Sequence, residues 1–403
     1  MNDYRSKLDA RADELAAICV HAGDEPDAWG GLETPLVLSS AFGFEDADHA
    51  AAAFRKENDA YIYGRWGNPT VRALELKLAA LEGAAACCAT ASGMAAISGV
   101  LMSACQSGDH VVAPRSMYAE SARLLRERLP RFGITTTFVG ADTASYAAAI
   151  TERTRVLYIE TPSNPVLRVT DIAAVVALAR SRGLFTIADN TFATPFAQSP
   201  LALGVDVVVH SMTKALGGHG DAIGGAIFGS LAHVERAADL VVKGFGGVIA
   251  PFTAWLVSRG LRTFHLRQRQ ACLSAEEIAR ALSERPDVAT VHHPSLRSHP
   301  QHALASAQMH AFGSMLAFEL APRGELSAIE RGKRTLSAIK TITHAVSLGD
   351  VRTLLVHPAS TTHSTMPAPD RLAADVSDGL LRLSVGVEGT KALMADLERA
   401  LAS

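Results

Sequence analysis

Residues 205–225, VDVVVHSMTKALGGHGDAIGG, constrain this chain more than any other stretch. Val205 to Val209 is an unbroken apolar run, the pattern of a strand buried on both faces. It carries His210-Ser211-Met212-Thr213-Lys214 to the strand's end, ahead of a glycine-rich loop. A lysine is ordinarily a solvated surface charge, but Lys214, just past a buried strand and behind two hydroxyls, is poorly placed to reach bulk water. A desolvated amine is a nucleophile towards carbonyls. The hydroxyls of Ser211 and Thr213 flank it and suit an anion such as a phosphate.

Upstream, Leu184 to Asp189 (LFTIAD) reads as a second buried strand, ending in a carboxylate and followed by Asn190-Thr191-Phe192. A lysine beside a phosphate cradle suggests pyridoxal phosphate, whose enzymes need a Schiff-base lysine and an acid that keeps the pyridine nitrogen protonated. Lys214 and Asp189 fit the two roles. Alone, Asp189 reads equally as a helix or turn cap; Lys214 at the end of a neighbouring strand favours the functional reading.

The 403 residues suffice for one large and one smaller domain, and 48% hydrophobic with 20% charged residues is ordinary globular composition. A net charge of -3, with no basic cluster, argues against a nucleic-acid partner. Five cysteines (Cys19, Cys87, Cys88, Cys105, Cys272) form no CxxC pair, and an odd count points to reduced thiols in a cytoplasm. The N-terminus mixes both charges without an apolar core, unlike a signal peptide, and the longest apolar stretches fall short of the ~20 residues a membrane span needs. The histidines, including the His292-His293 pair, His219, His357 and His363, show no metal-ligand spacing, so no metal is expected.

Residues 1–60 show no clear periodicity and are expected to form an arm lying on another surface, such as a partner subunit. The arm leads into YIYGRWGNPT (61–70), where Thr70 is expected to cap a helix over Val71 to Leu81. Apolar runs then recur at Ala86 to Ala89, His110 to Ala113, Thr135 to Val139, Arg155 to Ile159, Leu184 to Ala188, Val205 to Val209 and Ala222 to Phe228, separated mostly by helical segments. That is the signature of a mainly parallel central sheet with covered faces, in a large domain spanning 61–261. Ligands bind such sheets at the carboxyl ends of the strands. There lie Ser92-Gly93-Met94, opening a helix whose free amides suit a phosphate, Tyr118, whose ring could stack on a cofactor, and Asn164, in a proline-fixed loop. Each has a plain alternative: a tightly packed helix start, a core tyrosine, a turn.

Residues 262–403 read as a smaller α+β domain, with helices at Ala275 to Leu282 and Ile329 to Ile342 and strands at Ser314 to Leu320 and Leu380 to Val387. Arg382 lies on the last strand, where an unpaired guanidinium is costly. Its partner is either a structural carboxylate or the α-carboxylate of a substrate.

The set YGRWGNPT, ASGMAA, ETPSNP, ADNTF, HSMTKALGGHGD, AVSLGD, HPASTTHS and LLRLSVGVE resembles, in order and over essentially the whole chain, the Cys/Met-metabolism (trans-sulfuration) family of pyridoxal-phosphate enzymes. The resemblance implies the type I aminotransferase-like α/β fold, and homodimers that share each active site and commonly pair into tetramers. It makes Lys214 the Schiff-base and proton-shuttling residue, sets Asp189 at the pyridine nitrogen and stacks Tyr118 on the ring. Ser92, Gly93, Met94, Ser211 and Thr213 would hold the phosphate, with Tyr63 and Arg65 reaching in from the neighbouring subunit. It also supports Arg382 as the carboxylate clamp, and places Ser347 near the substrate amine.

Such a site labilises the α-proton and then a γ-substituent of an amino acid. Release of 2-oxobutanoate and ammonia would make the protein a lyase resembling methionine γ-lyases. Attack by a thiol would make it an O-acylhomoserine sulfhydrylase or cystathionine γ-synthase, and a cofactor-binding subunit without catalysis is a remoter alternative. Two residues after Tyr118, where methionine γ-lyases resemble one another in a cysteine, this chain has Glu120. A free carboxylate there would favour a cationic γ-substituent, as in canavanine; equally, Glu120 could turn away onto the following helix.

Overall fold

The computed structural model describes residues 2–25, 27–364, 366–373 and 375–402. Seven strands form the larger sheet: β1 (Ala86–Thr90), β2 (His110–Pro114), β3 (Thr135–Val139), β4 (Thr154–Glu160), β5 (Phe185–Asp189), β6 (Val207–Ser211) and β7 (Gly225–Gly229). Their order is β1-β7-β6-β5-β4-β2-β3, with only β7 antiparallel to its neighbours. The apolar runs therefore form the expected mainly parallel sheet.

Period-2 alternation sends the strand residues into two separate cores. Leu157, Ile159, Ala188, Val208 and Phe228 face one side with Leu74, Leu78, Val175 and Val176. Val156, Tyr158, Ile187, Val207, Val209 and Ile227 face the other with Ala96, Ile97 and Val100. With both faces covered, the open positions are the strand ends, where Glu160, Asp189 and Ser211 terminate β4, β5 and β6.

The helix Pro69–Glu82 begins two residues ahead of the expected start at Val71. Asn68 is the N-cap, accepting from the amides of Thr70 and Val71, because Pro69 suits the first helical turn. Thr70 instead ties down the preceding chain, donating to Pro35 O at 2.7 Å and accepting from Val37 N at 2.9 Å.

Residues 2–21 differ from the expected irregular arm. They form the helix Asn2–His21, whose Leu8, Ala12, Leu15 and Cys19 recur at helical spacing and join the core of this same chain. Arg11 also donates to the carbonyls of Pro195 and Phe196. Beyond it, Trp29 and Leu32 are 88% and 89% exposed.

The second sheet has five strands, β8 (Val288–His292), β9 (Met315–Leu320), β10 (Thr343–His344), β11 (Leu354–Val356) and β12 (Leu380–Ser384), ordered β10-β11-β12-β9-β8. The sequence reading finds only β9 and β12 of these and misses the closing helix Thr390–Ala402, whose Leu393, Leu397, Ala400 and Leu401 are buried. Val166, Leu167, Met315, Ala317, Leu348 and Leu380 pack together where the two sheets meet. No helix among the described residues is long and apolar enough to cross a membrane.

Candidate active site

Past β6 the chain turns tightly: Thr213 N donates to Gly224 O, Lys214 N to Ser211 O, and Gly218 N to Lys214 O. The turn leaves the Lys214 side chain largely shielded from water, and its Nζ donates to Ser347 Oγ at 2.9 Å. Burial, reinforced by the positive field of Arg382, lowers the Lys214 pKa. The amine is thus biased towards its nucleophilic neutral form.

Arg382 stands on β12 among apolar neighbours, and burial lowers its pKa to about 10. Its guanidinium donates to Asn164 Oδ1 at 2.9 Å and, over 3.3 and 3.4 Å, to the carbonyls of Ser347 and Val346. Nε is buried without a partner. No carboxylate answers this charge among the described residues, so no structural salt bridge satisfies it there.

Asp189 accepts from Thr191 N at 3.0 Å and, more distantly, from the Tyr158 hydroxyl at 3.5 Å. Burial raises its pKa. No lysine or arginine pairs with it among the described residues. Beside it in register is Glu160, which burial and then Asp189 push well above the usual carboxylate range. Glu160 accepts the amide of Tyr118 at 2.9 Å, fixing the loop that carries the tyrosine ring. Burial, then the charges of Glu120 and Glu160, raise the Tyr118 pKa.

The helix Gly93–Ala104 starts against the end of β6. Ser92 caps it through Ala95 N, and a Cβ on Gly93 would lie 2.8 Å from Ser211 Cβ, so only glycine allows this approach. The first amides of a helix have no intrahelical acceptor; those of Gly93 and Met94 therefore open beside Ser211, a suitable place for a phosphate. The Thr213 hydroxyl is already engaged with Gly224, donating to O at 3.3 Å and accepting from N at 3.1 Å.

Three further residues of the expected set make other contacts in this chain. Tyr63 and Arg65 contact each other, with the guanidinium 5.5 Å above the ring, and Arg65 donates to Lys243 O. No described contact joins either to Lys214 within this chain. Glu120 pairs with Arg128 at 3.1 Å and with Arg123 at 3.7 Å. The free carboxylate imagined for a cationic substrate is thus already balanced on its own segment. Sequence reasoning assigned no role to Glu160, although it ends β4 as Asp189 ends β5, and that parallel was a usable signal.

No group of His, Cys, Asp and Glu among the described residues is placed to hold a metal. A desolvated lysine, a buried carboxylate and a free helix start at the strand ends of a type I fold, with an unanswered guanidinium on β12 facing them, define a pyridoxal-phosphate enzyme acting on a small amino acid. Across residues 16–402 the chain matches the sequence model for the Cys/Met metabolism PLP-dependent enzymes, and it belongs to that family. It is similar to L-methionine gamma-lyase of Fusobacterium nucleatum subsp. polymorphum, at 41% identity over 96% of this chain and 98% of the relative. It is also similar to O-succinylhomoserine sulfhydrylase of Mycobacterium tuberculosis (strain CDC 1551 / Oshkosh), at 40% identity over 91% and 90%. The crystal structure of cystathionine gamma-lyase from Lactobacillus plantarum complexed with L-serine superposes with a TM-score of 0.89, at 37% identity over 96% of this chain and 98% of that one.

Proposed function

We propose that the enzyme catalyses γ-elimination on an L-amino acid with a neutral γ-substituent, of which methionine is the type, releasing the thiol, 2-oxobutanoate and ammonia. The observation that carries this reading is Arg382: a buried guanidinium with a free Nε and no carboxylate of its own, across Ser347 from the Lys214 amine. A substrate carboxylate held by the first would bring the α-carbon to the second. The similarity to L-methionine gamma-lyases supports elimination, and the pairing of Glu120 with Arg128 argues against a cationic γ-group.

Bound pyridoxal phosphate supplies an electron sink that stabilises negative charge developing at the α-carbon. Asp189 would answer the positive charge of its ring nitrogen, and Ser92, Gly93, Met94, Ser211 and Thr213 would hold its phosphate. Lys214 would carry the cofactor, and its amine is the group placed to take up the α-proton. Tyr118, its amide fixed by Glu160, would stack over the ring and supply the proton for the departing γ-group. Arg382 and Asn164 fix the substrate carboxylate, and Ser347 orients the amines.

Past the helix Asn2–His21, which packs on this chain's own core, residues 27–60 form an arm against a second copy, with 61–261 the cofactor domain and 262–403 the small domain. The assembly is a homodimer, paired into a tetramer, in which Tyr63 and Arg65 serve the partner's phosphate site. Their separation from Lys214 in this chain and the exposure of Trp29 and Leu32 support that arrangement.

The second reading is thiol transfer to an O-acylhomoserine, supported by the similarity to O-succinylhomoserine sulfhydrylase. Product release from methionine, homocysteine, cystathionine, O-acetyl- and O-succinylhomoserine, and canavanine, with and without sulfide, decides between them. Rapid 2-oxobutanoate and ammonia formation from methionine without sulfide is expected. Turnover of acylhomoserines only with a thiol would replace elimination by transfer.

A further inference from the structure

We infer that Asp375 is a positioning residue that fastens the loop of Tyr118 and the loop of Asn164 to the segment leading into β12 and Arg382. The inference rests on the roles proposed above for those three residues. The Asp375 carboxylate accepts from Arg168 twice, Nη2 to Oδ1 at 2.8 Å and Nε to Oδ2 at 3.0 Å, and from Ser116 Oγ at 2.5 Å. Ser116 stands two residues before Tyr118 in the chain. Arg168 closes the loop containing Asn164, its amide donating to Ser163 Oγ and its carbonyl accepting from Ser163 N. Asn164 in turn receives Arg382, which lies on the strand that Asp375 precedes. The contacts form a closed ring: Asp375, Arg168, the 163–168 loop, Asn164, Arg382 and back along the chain to Asp375, with Ser116 and Tyr118 fastened to it.

Two residues of this ring have a backbone that side chains other than glycine's adopt rarely: Asp375 has φ +60° and Leu167 +54°. Such conformations persist where surrounding bonds over-determine them, and they concentrate at ligand clamps and active sites. The Arg168 and Asp375 side chains are 43% and 30% exposed, so screening leaves their attraction little effect on stability. A bidentate fork nevertheless fixes orientation. The consequence of the ring is alignment of the tyrosine ring with the carboxylate clamp.

Asp375→Asn keeps the shape, tolerates the same backbone and removes the charge. In the resting holoenzyme we expect the circular dichroism of the cofactor's visible band to weaken as the Tyr118 ring loosens. With the amino-acid substrate, kcat/KM should fall about tenfold, short of the ~100-fold that a 1 Å misplacement causes, and Tm should hardly move. Asp375→Gly should weaken the same band although it relieves the backbone. A wild-type visible band in Asp375→Asn, with kcat/KM within about twofold, overturns the inference whatever happens to Tm. If Asp375→Asn does not fold, Ser116→Ala, which removes one of the three bonds, should show a smaller weakening, and an unchanged band overturns the inference instead. If the wild-type enzyme releases no 2-oxo acid, the elimination reading fails while the dichroism still judges Asp375, because that band is read before any substrate is added.

Discussion

Two buried arginines, Arg382 at the candidate site and Arg267 behind the lysine turn, look alike by every bulk measure. They are 7% and 8% exposed, and burial lowers the pKa of each to about 10. Their bonds differ. Arg267 donates to the carbonyls of Ala215, Leu216 and Gly260 and to Thr263 Oγ1, using every guanidinium nitrogen. Arg382 leaves Nε bare and, among the described residues, reaches one side chain, Asn164. Burial alone therefore does not mark a functional cation; an unfinished set of bonds does. The saturated arginine holds the backbone of the lysine turn, and the unsaturated one is the group we propose is kept for a ligand.

The sharpest way to break this contrast begins with the amine that Arg382 serves. Lys214→Ala should lower 2-oxo acid release on the order of 10⁴-fold or more, as expected when one member of a catalytic unit is lost. Substantial residual turnover would remove the mechanism and with it the meaning of the free guanidinium. Next come the arginines themselves. Arg382→Met should raise KM about 100-fold through loss of a charge-assisted pair while Tm stays nearly constant. Arg267→Met should do the reverse, leaving carbonyls unsatisfied at about 1–3 kcal/mol for each that finds no water and lowering Tm with a lesser effect on KM. Matching kinetic and thermal effects for both variants would erase the distinction.

That distinction was only half legible in the sequence. Arg382 announced itself because a charge interrupts the apolar run LLRLSVGV. Arg267 sits among other polar residues in HLRQRQ, and its partners are carbonyls, which no side-chain pattern reveals. Gly218 is the trace it leaves, since a Cβ there would fall 1.9 Å from Arg267 Nη1, but a glycine-rich loop reads the same way for many reasons. The central strands were legible because both faces are apolar. Most of the small sheet was not: β10 and β11 are two and three residues long, too short to establish a period. The helix at residues 2–21 was overlooked although Leu8, Ala12, Leu15 and Cys19 keep helical spacing, because its other residues are mixed in charge and polarity. Asp189 and Lys214 were found because each ends an apolar run; Asp375 ends none and acts through loops from distant parts of the chain.

A weaker effect separates cations that cannot shed a proton from those that can. His293 and His299 are buried near the junction of the sheets, and burial lowers the pKa of each to about 4. His293 pairs with Ser295 Oγ at 2.6 Å, and His299 Nε2 donates to Leu167 O at 3.2 Å. The unfolded chain binds protons near pH 6.5, whereas the folded one resists until about pH 4. Above pH ~6.5 both states are neutral and the two residues cost nothing; as pH falls from there towards about 4, the unfolded state is favoured progressively. The upper bound is on the order of 3 kcal/mol per histidine. Denaturant midpoints of His299→Gln should therefore fall less between pH 7 and pH 5 than those of the wild type. Parallel curves would mean that His299 titrates over the same pH range in the folded and unfolded chain.

The smallest expected effect is at Glu120, and it tests the same rule on an acid. A carboxylate near the reacting end of a substrate would matter if its charge were unanswered, as that of Arg382 is. Arg128 and Arg123 answer it, and all three side chains lie between 42% and 55% exposed, where such pairs contribute about 0–1 kcal/mol. Glu120→Ala should therefore change kcat/KM for methionine and for canavanine by no more than about twofold, and by the same factor for both. A selective loss with canavanine would show that Glu120 leaves its arginines when a cation arrives. The unfinished bonds would then belong to the complex rather than to the resting site.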